Sequence, residues 1–457
     1  MTVKTNEKEG EYITLRQYFI LFLPLALMTF STNLFPTIEK ILLATLSKED
    51  MEASLSAFYA VQIFQLAWVS LAMMAQVFVG SWYGEKKWSR IGPGIWQFIW
   101  FSLFSLAITL PFGYLYGKFY FKGTVIEEIV LPYYYFLLAM SFLFPLGGAL
   151  ICFFLGRGKT LFVFITTLIC HLIKLPLGYA LIFGWQWIPG LGLMGGALSI
   201  FITQLGFCLA LLSIFLNDKN HQLYRTREWR FNRVFCWQCI QPGILRALNR
   251  LLTMANWGAM TYLMTRGGEN HLLILSIGGT LIILTTFFGE AICLAQMTVV
   301  SQILGAKNYH ALYAAFRPGV VFATIATLIL SINLLIFPNW TFQKLFPTII
   351  LDSSTIRLIL TGVWLSSVLC IFSFLPISYV LAFKDTSFSL FMGFVNWITG
   401  FLFIYTCMEI FHFSADYFWL LLSFLHFVTA LFYYLRTTWL IGKSEFADAL
   451  FKIESKA

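Results

Sequence analysis

The stretch NDKNHQLYRTREWRFNR, residues 217–233, is the longest polar run in a chain of 457 residues that is otherwise 59% hydrophobic. It falls almost at the midpoint. Only 11% of the residues are charged, against about 25% in a soluble domain, so most side chains face something other than water. Working outward from 217–233, apolar runs lie near 17–46, 55–80, 94–118, 131–155, 160–183 and 190–216 on one side. On the other they lie near 236–264, 272–300, 317–338, 356–382, 387–409 and 415–440. Each approaches the roughly 20 residues that cross about 30 Å of hydrocarbon. They are too long and continuous for barrel strands, whose apolar residues alternate over about ten positions, and helices are the other way to satisfy backbone groups in lipid. The expectation is an all-α integral membrane protein with twelve transmembrane helices in two six-helix lobes, 15–216 and 236–441. A linker at 217–235 joins them, and tails at 1–14 and 442–457 flank them.

The basic residues orient this map, because Lys and Arg collect on the cytoplasmic side. With the N-terminus inside, 20 of the 30 Lys and Arg fall in inner segments and 6 in outer ones. The remaining 4 are Lys40, Lys174, Arg246 and Arg250, within the membrane. Both termini are therefore expected in the cytoplasm, and the net charge of +9 needs no nucleic-acid partner. The first apolar run is too long for a signal-peptide core and shows no small-residue cleavage site. Eight cysteines are scattered along the chain. Cys236 and Cys239, in CWQC, start a helix on the reducing side and lack the second cluster a metal site would need.

The halves echo each other. VGSWYGEKKW (79–88) closes span two and VSQILGAKNY (300–309) closes span eight; LGRGKT (155–160) follows span four and LAFKDT (381–386) follows span ten. Pro24 and Pro242 sit at similar depths in the first helix of each half. An even number of spans per half makes the repeat parallel, the arrangement in which transporters hold substrate near the midplane between halves and alternate access by rocking.

Pro24 followed fifteen residues later by Glu39, the VGSWYGEKK and VSQILGAKN helix ends, and LIKLPLGYALIFGWQWIPGLGLMGGALS (172–199) together resemble the multidrug and toxic compound extrusion family. That family sits within the superfamily that also holds lipid-linked oligosaccharide flippases. The resemblance runs along essentially the whole chain. It implies twelve helices in two lobes, cation-coupled efflux of organic molecules, and an ion-coupling role for Glu39. Where the family places Asn and Asp in helix five, this chain has Lys174 and Gly178; where it places an acid in helix seven, this chain has Arg250.

Charges at membrane depth are costly, about 2.5–3.5 kcal/mol or more each, and face cavities or one another. Here they are Glu39, Lys40, Lys174, Arg246, Arg250 and Glu290. Arg246, Asn249, Arg250, Thr253 and Asn256 advance by threes and fours, forming one polar stripe on span seven. Thr167, His171, Lys174 and Gly178 do the same on span five. These patterns nominate Glu39, Lys174 and His171 for ion coupling and Arg246, Asn249, Arg250, Glu290, Thr253 and Asn256 for substrate binding. Glu39 pairs in this reading with Lys174, and Glu290 with Arg250 or Arg246, which puts the arginines on the wall of the second lobe. An ammonium beside Glu39 takes the place of Na⁺, so H⁺ is the expected coupling ion, with His171 titrating near neutrality. Lys40 reads as snorkelling to the headgroups, and Trp96, Trp100, Trp185, Trp187 and Trp340 as interface anchors.

Two readings of function follow. The first is a proton-driven antiporter exporting small organic molecules. The second is an organic-anion exporter, or a flippase of a phosphorylated lipid-linked precursor, on the same scaffold, because four cations against two anions suit a carboxylate or phosphate held by Arg. An enzyme is not expected: only His171 reads as a deeply buried histidine, it has no acidic partner one turn away, and no GxxxxGK[ST] loop occurs. No cofactor is expected. The expected partners are a small organic substrate and the bilayer of the cell (inner) membrane, with the protein working as a monomer.

Overall fold

The computed structural model describes residues 13–454 apart from Ile188, Gly267, Gly268 and Thr348. The side chains of residues 36, 37, 39–41, 44, 48, 269 and 447–454 lie outside the described set. In chain order the α-helices are α1 (Leu15–Ala44), α2 (Lys48–Ala72), α3 (Ala75–Gly84), α4 (Ile91–Tyr120), α5 (Glu127–Met140) and α6 (Leu143–Leu155). Then come α7 (Thr160–Phe183), α8 (Leu193–Phe215), α9 (Asp218–Tyr224), α10 (Arg233–Arg266), α11 (Glu269–Gly305) and α12 (Ala311–Ala314). The series ends with α13 (Phe316–Ser331), α14 (Pro338–Leu345), α15 (Ser353–Ala382), α16 (Thr386–Tyr405) and α17 (Phe418–Glu454). The fold is the expected all-α, twelve-span architecture. Among the described residues, eleven stretches are long and apolar enough to cross a membrane. The twelfth span is α10, an unbroken helix of 34 residues that is long enough at about 1.5 Å per residue. Its polar stripe keeps it out of the apolar set.

The repeat read from loop motifs is present in the backbone. After α3, Lys86 takes a left-handed φ of 58° and the Lys87 N–H reaches back to the Trp82 carbonyl at 2.9 Å. After α11, Lys307 has φ 56° and Asn308 N–H bonds the Ile303 carbonyl at 3.2 Å. The ends of α6 and α15 repeat this device, with Gly158 at φ 74° and Lys384 at φ 60°. There Lys159 N–H reaches the Phe154 carbonyl and Asp385 N–H the Val380 carbonyl, both at 3.0 Å. All four are the six-to-one closure that caps a helix through one left-handed residue.

The chain divides into two compact units. One comprises Phe30–Arg250; the other combines Leu251–Ala457 with Thr2–Thr29. The chain therefore passes from one to the other inside α1 and inside α10, not in the linker. In the second unit, the start of α1 is anchored by Tyr18. It is fully buried, its hydroxyl donates to the Ile292 carbonyl at 3.5 Å, and its ring stacks on Phe322 at 5.6 Å. Thr29 Oγ1 donates to the Phe287 carbonyl at 3.2 Å. The core of this unit centres on Trp419, fully buried, whose indole N–H donates to the Ile274 carbonyl at 3.0 Å.

In the first unit, α10 enters beside α2: a Cβ at Gly243 would lie 2.7 Å from Leu71 Cγ. Phe235 packs on Trp82 with ring centroids 5.7 Å apart. The linker is fastened along α4. Trp96 Nε1 donates to the Thr226 carbonyl at 2.7 Å and Trp100 Nε1 to the Trp229 carbonyl at 2.8 Å. Gln97 donates to the Arg230 carbonyl at 3.1 Å and accepts from Asn232 N–H at 3.2 Å. Trp96 and Trp100, read from sequence as interface anchors, spend their indole N–H groups on the linker, whose irregular backbone leaves carbonyls to be satisfied.

Candidate functional site

In the first unit, the α7 stripe is the inward side of its helix. Thr167 and Gly178 are buried and His171 and Lys174 half-buried, while Ile165, Ile169, Leu172 and Ile173 are exposed. The sequence spacing placed these residues on one face because three to four positions make a helical turn. The His171 ring lies flat on Phe35 of α1, with centroids 4.6 Å apart and planes at 7°. Its Nε2 is shielded from solvent and has no hydrogen-bond partner. Glu39, the expected proton carrier, is helical in α1, but its side chain, like that of Lys40, lies outside the described residues.

The α10 stripe begins where span two breaks. α2 ends at Ala72 and α3 begins at Ala75. Across the break, Met74 N–H bonds the Leu71 carbonyl at 3.0 Å and Gln76 N–H bonds the Met73 carbonyl at 3.2 Å. These are tight three-residue closures of the kind that often marks a kink. Arg246 Nη1 donates to the Met74 thioether at 3.5 Å. Arg246 and Asn249 are half-buried and Arg250 is exposed, and all three belong to the first unit. That revises the expectation that the arginines form the wall of the second half. Pro242 and Gly243 bring the start of α10 against α2, and the packing that follows carries Arg246 with it.

Thr253, Asn256 and Glu290 belong to the second unit, so the stripe read as one surface is shared out after Arg250. The suggested partners Glu290 and Arg246 or Arg250 accordingly fall in different units. Glu290 is half-buried on α11, next to Gly289, which abuts Phe374 of α15. Thr253 is exposed. Asn256 is half-buried, with its Oδ1 shielded and without a hydrogen-bond partner, beside Gly400 of α16.

The second unit also holds polar groups the sequence reading passed over. Thr429 Oγ1 donates to Asn396 Oδ1 at 3.0 Å, and Asn396 lies one turn before Gly400. His426, one turn from Thr429, sits 3.3 Å from the Ser366 carbonyl through Nδ1. Thr285 and Ser367 hydroxyls meet at 2.8 Å. His171 is therefore joined by a second part-buried histidine. The signal was available as His426 and Thr429 three apart in an apolar span, but neither carries formal charge. Chemically, the first unit offers an imidazole, an ammonium and guanidinium groups, which bind anions or pass protons; the second offers neutral donors and acceptors with one carboxylate. Among the described residues no three His, Cys, Asp or Glu side chains gather to hold a metal, and Cys236 and Cys239 are buried and form no disulfide.

Residues 24–180 match the MatE family model, in line with the resemblance drawn from the motifs of helices one, two and five. No curated protein matches the chain. Among solved structures, an outward-facing multidrug resistance MATE family transporter of the MOP superfamily is similar with a TM-score of 0.83 at 15% identity. The match covers 94% of this chain and 96% of that one. A MOP superfamily transporter from Pyrococcus furiosus, described as having a binding pocket of reverse polarity that suggests a different function, gives the same values. A MATE protein in complex with MaD5 also has TM-score 0.83 at 15% identity, covering 97% and 98%. The fold is that of these transporters, and MATE proteins are transporters and not enzymes.

Proposed function

We propose that the protein is a secondary active efflux transporter that exports small organic molecules by alternating access, working as a monomer in the cell (inner) membrane with both termini cytoplasmic. The observation that carries this reading is a MatE domain on a twelve-span fold whose seventh span is kept polar along one face. A lipid-buried helix has no use for such a stripe, whereas a helix lining an aqueous path does. Export is driven by protons. Glu39 accepts the proton, Lys174 supplies the positive charge it releases, and His171, whose Nε2 is shielded and open to a new hydrogen bond, relays between them. The substrate meets Arg246, Asn249, Arg250, Thr253, Asn256 and Glu290.

A second reading is favoured by one observation: Lys174, Arg246 and Arg250 all belong to the first unit, and guanidinium and ammonium groups suit a carboxylate or phosphate. On that reading the cargo is an organic anion or a phosphorylated lipid-linked precursor. A structural neighbour is described as having a pocket of reversed polarity.

The test is transport in reconstituted vesicles of a fluorescent lipophilic cation and a fluorescent organic anion under an imposed pH gradient, for the native protein and Arg250→Glu. The first reading requires cation movement coupled to the gradient. The second requires anion movement that Arg250→Glu abolishes or switches. No movement of either probe in either direction overturns both.

A further inference from the structure

The linker holds a second feature, independent of the cargo. Between Asn217 and Arg233 it carries five basic residues (Lys219, Arg225, Arg227, Arg230, Arg233) against two acidic ones (Asp218, Glu228), a net +3. Asp218 takes Arg227 at 2.5 Å and Glu228 takes Arg225 at 3.4 Å. The positive surplus therefore falls on Lys219, Arg230 and Arg233.

The backbone that carries Arg230 and Arg233 is held in place by Trp96, Gln97 and Trp100, as described above. Those residues lie inside the candidate span Trp88–Tyr120, so the linker runs beside the first half of that span. Trp229 meets Trp100 at 6.2 Å and Phe231 meets Phe104 at 6.0 Å. Phe104 is exposed on the same side of α4 as the rest of its bilayer-facing surface. Trp100 to Phe104 is one turn, about 6 Å along the axis.

The linker also presents apolar side chains outward. Trp229 is 61% exposed and Phe231 51%, and Val234 and Trp237 at the start of α10 are exposed as well. Aromatic rings in such a position sit among headgroups and the first carbons of the acyl chains. Arg230 and Arg233 are exposed between them.

We infer that this strap is a binding site for an anionic phospholipid of the leaflet on the linker side. The guanidiniums of Arg230 and Arg233 take its phosphate, and Trp229, Phe231 and Trp237 bracket its glycerol and upper acyl chains. Two things argue for a lipid over a soluble anion. The aromatic residues alternate with the arginines, and the patch is continuous with the bilayer-facing side of α4. Because side chains on α4 fix the strap backbone, the segment carrying the arginines is held in place before the lipid arrives. Less backbone entropy is then lost on binding than a free polybasic tail would lose.

The test uses the full-length protein, purified and delipidated in detergent. Phosphatidylglycerol and phosphatidylcholine are titrated in turn, and bound lipid is counted by native mass spectrometry. A surface arginine at an anionic membrane changes affinity about fivefold. Arg230→Gln/Arg233→Gln is therefore expected to lose on the order of twentyfold in phosphatidylglycerol affinity, with phosphatidylcholine binding unchanged. Trp229→Ala/Phe231→Ala is expected to weaken both lipids. Arg266→Gln, at the far end of α10, is expected to change neither. Equal affinity for the two lipids in the native protein overturns the inference. So does unchanged selectivity in the double arginine variant when its thermal unfolding matches the native protein. Inorganic phosphate at millimolar concentration is expected not to displace the lipid; full displacement would make this a site for a soluble anion and refute the assignment.

Discussion

Gly278 and Gly279 are neighbours on α11, and the structure assigns them opposite fates on substitution by alanine. A Cβ on Gly278 would fall inside the indole of Trp419, against Cε2 and Nε1; a Cβ on Gly279 would meet nothing within 4 Å. Trp419 has little room to give way. It is fully buried, donates to the Ile274 carbonyl at 3.0 Å, meets Phe418 edge-on at 5.2 Å, and has its own carbonyl held by Ser366 Oγ at 3.1 Å. On the other side, Gly362 admits no atom, since a Cβ there would be 2.8 Å from Trp419 Cβ. Overpacking of this kind costs about 1–3 kcal/mol. Displacing the indole from Ile274 forfeits about 0.5–1.5 kcal/mol more. The better helix propensity of alanine returns about 0.5–1 kcal/mol. Gly278→Ala should therefore lose about 2 kcal/mol, and Gly279→Ala should gain up to about 1 kcal/mol. Thermal unfolding of both variants in one detergent, followed by far-UV circular dichroism, measures the gap directly. If Gly278→Ala unfolds at or above the temperature of Gly279→Ala, the close approach of α11 to Trp419 is wrong and the packing argument fails with it.

Other outcomes follow from the same structure. Arg157, in the loop after α6, is 2% exposed. It lies 3.6 Å over the Phe153 ring and 4.6 Å from the Tyr224 ring, donates through Nε to the Phe153 carbonyl at 2.7 Å, and is held below the usual arginine range by burial, against the Tyr224 hydroxyl. Arg157→Ala should cost about 3 kcal/mol, from a desolvated cation–π contact and a charged hydrogen bond, and Arg157→Met clearly less, because only the cavity term is repaired. Denaturation in detergent that ranks the two the other way round would show the filled volume to be irrelevant. Lys307→Gly and Lys384→Gly should each stabilise by about 1 kcal/mol, since a side chain in the left-handed region is strained. A loss on either substitution contradicts the helix-end geometry. Asp352 caps α15, accepting from the Ser354 hydroxyl and from Thr355, and these bonds lower its pKa to about 2. A depressed carboxyl contributes stability fully above the ordinary carboxylate range and loses it as pH falls through about 2. Carboxyl-carbon NMR should therefore show Asp352 titrating near 2, and a midpoint in the ordinary range would remove the cap.

The parts of the fold that depend on where the chain stops being apolar were legible from residues alone. Six spans either side of 217–233 follow from hydropathy, and the parallel repeat follows from Gly84 with Lys86 against Gly305 with Lys307. Those lysines also show the limit: a left-handed lysine is invisible in composition, and only its place in an echoed motif hinted at it. The polar stripe on α7 was legible because helical spacing and the formal charge of Lys174 coincide. The sorting of Arg246 and Arg250 with the first unit was not. It follows from Gly243 meeting Leu71 and from the break at Met73–Met74, contacts between residues some 170 positions apart. His426, Asn396 and Thr429 escaped because neutral polar residues in an apolar helix usually back-bond to their own turn, so spacing alone does not separate a network from a bystander. The hold of Trp96 and Trp100 on the linker was not legible for the complementary reason: a tryptophan near a helix end can anchor at an interface, and the partner of its N–H shows only in the fold.

The crossings of the chain between its two units bear on any alternating-access cycle. A mobile connection would be expected at a polar linker, but residues 217–233 are tied to α4 by two indoles and a glutamine, and they belong wholly to the first unit. The crossings fall at Thr29–Phe30 and Arg250–Leu251, within single helices. In each case a proline lies a turn or two before the crossing, Pro24 in α1 and Pro242 in α10. Proline removes one backbone N–H from the helical ladder and weakens the turn around it. The two units are thus joined through continuous helix at both crossings. Arg250 stands at one of these crossings, and Glu39 lies ten residues beyond the other on the same helix. That sets Glu39 and Arg250 apart from Lys174 and Glu290, whose helices each stay within one unit.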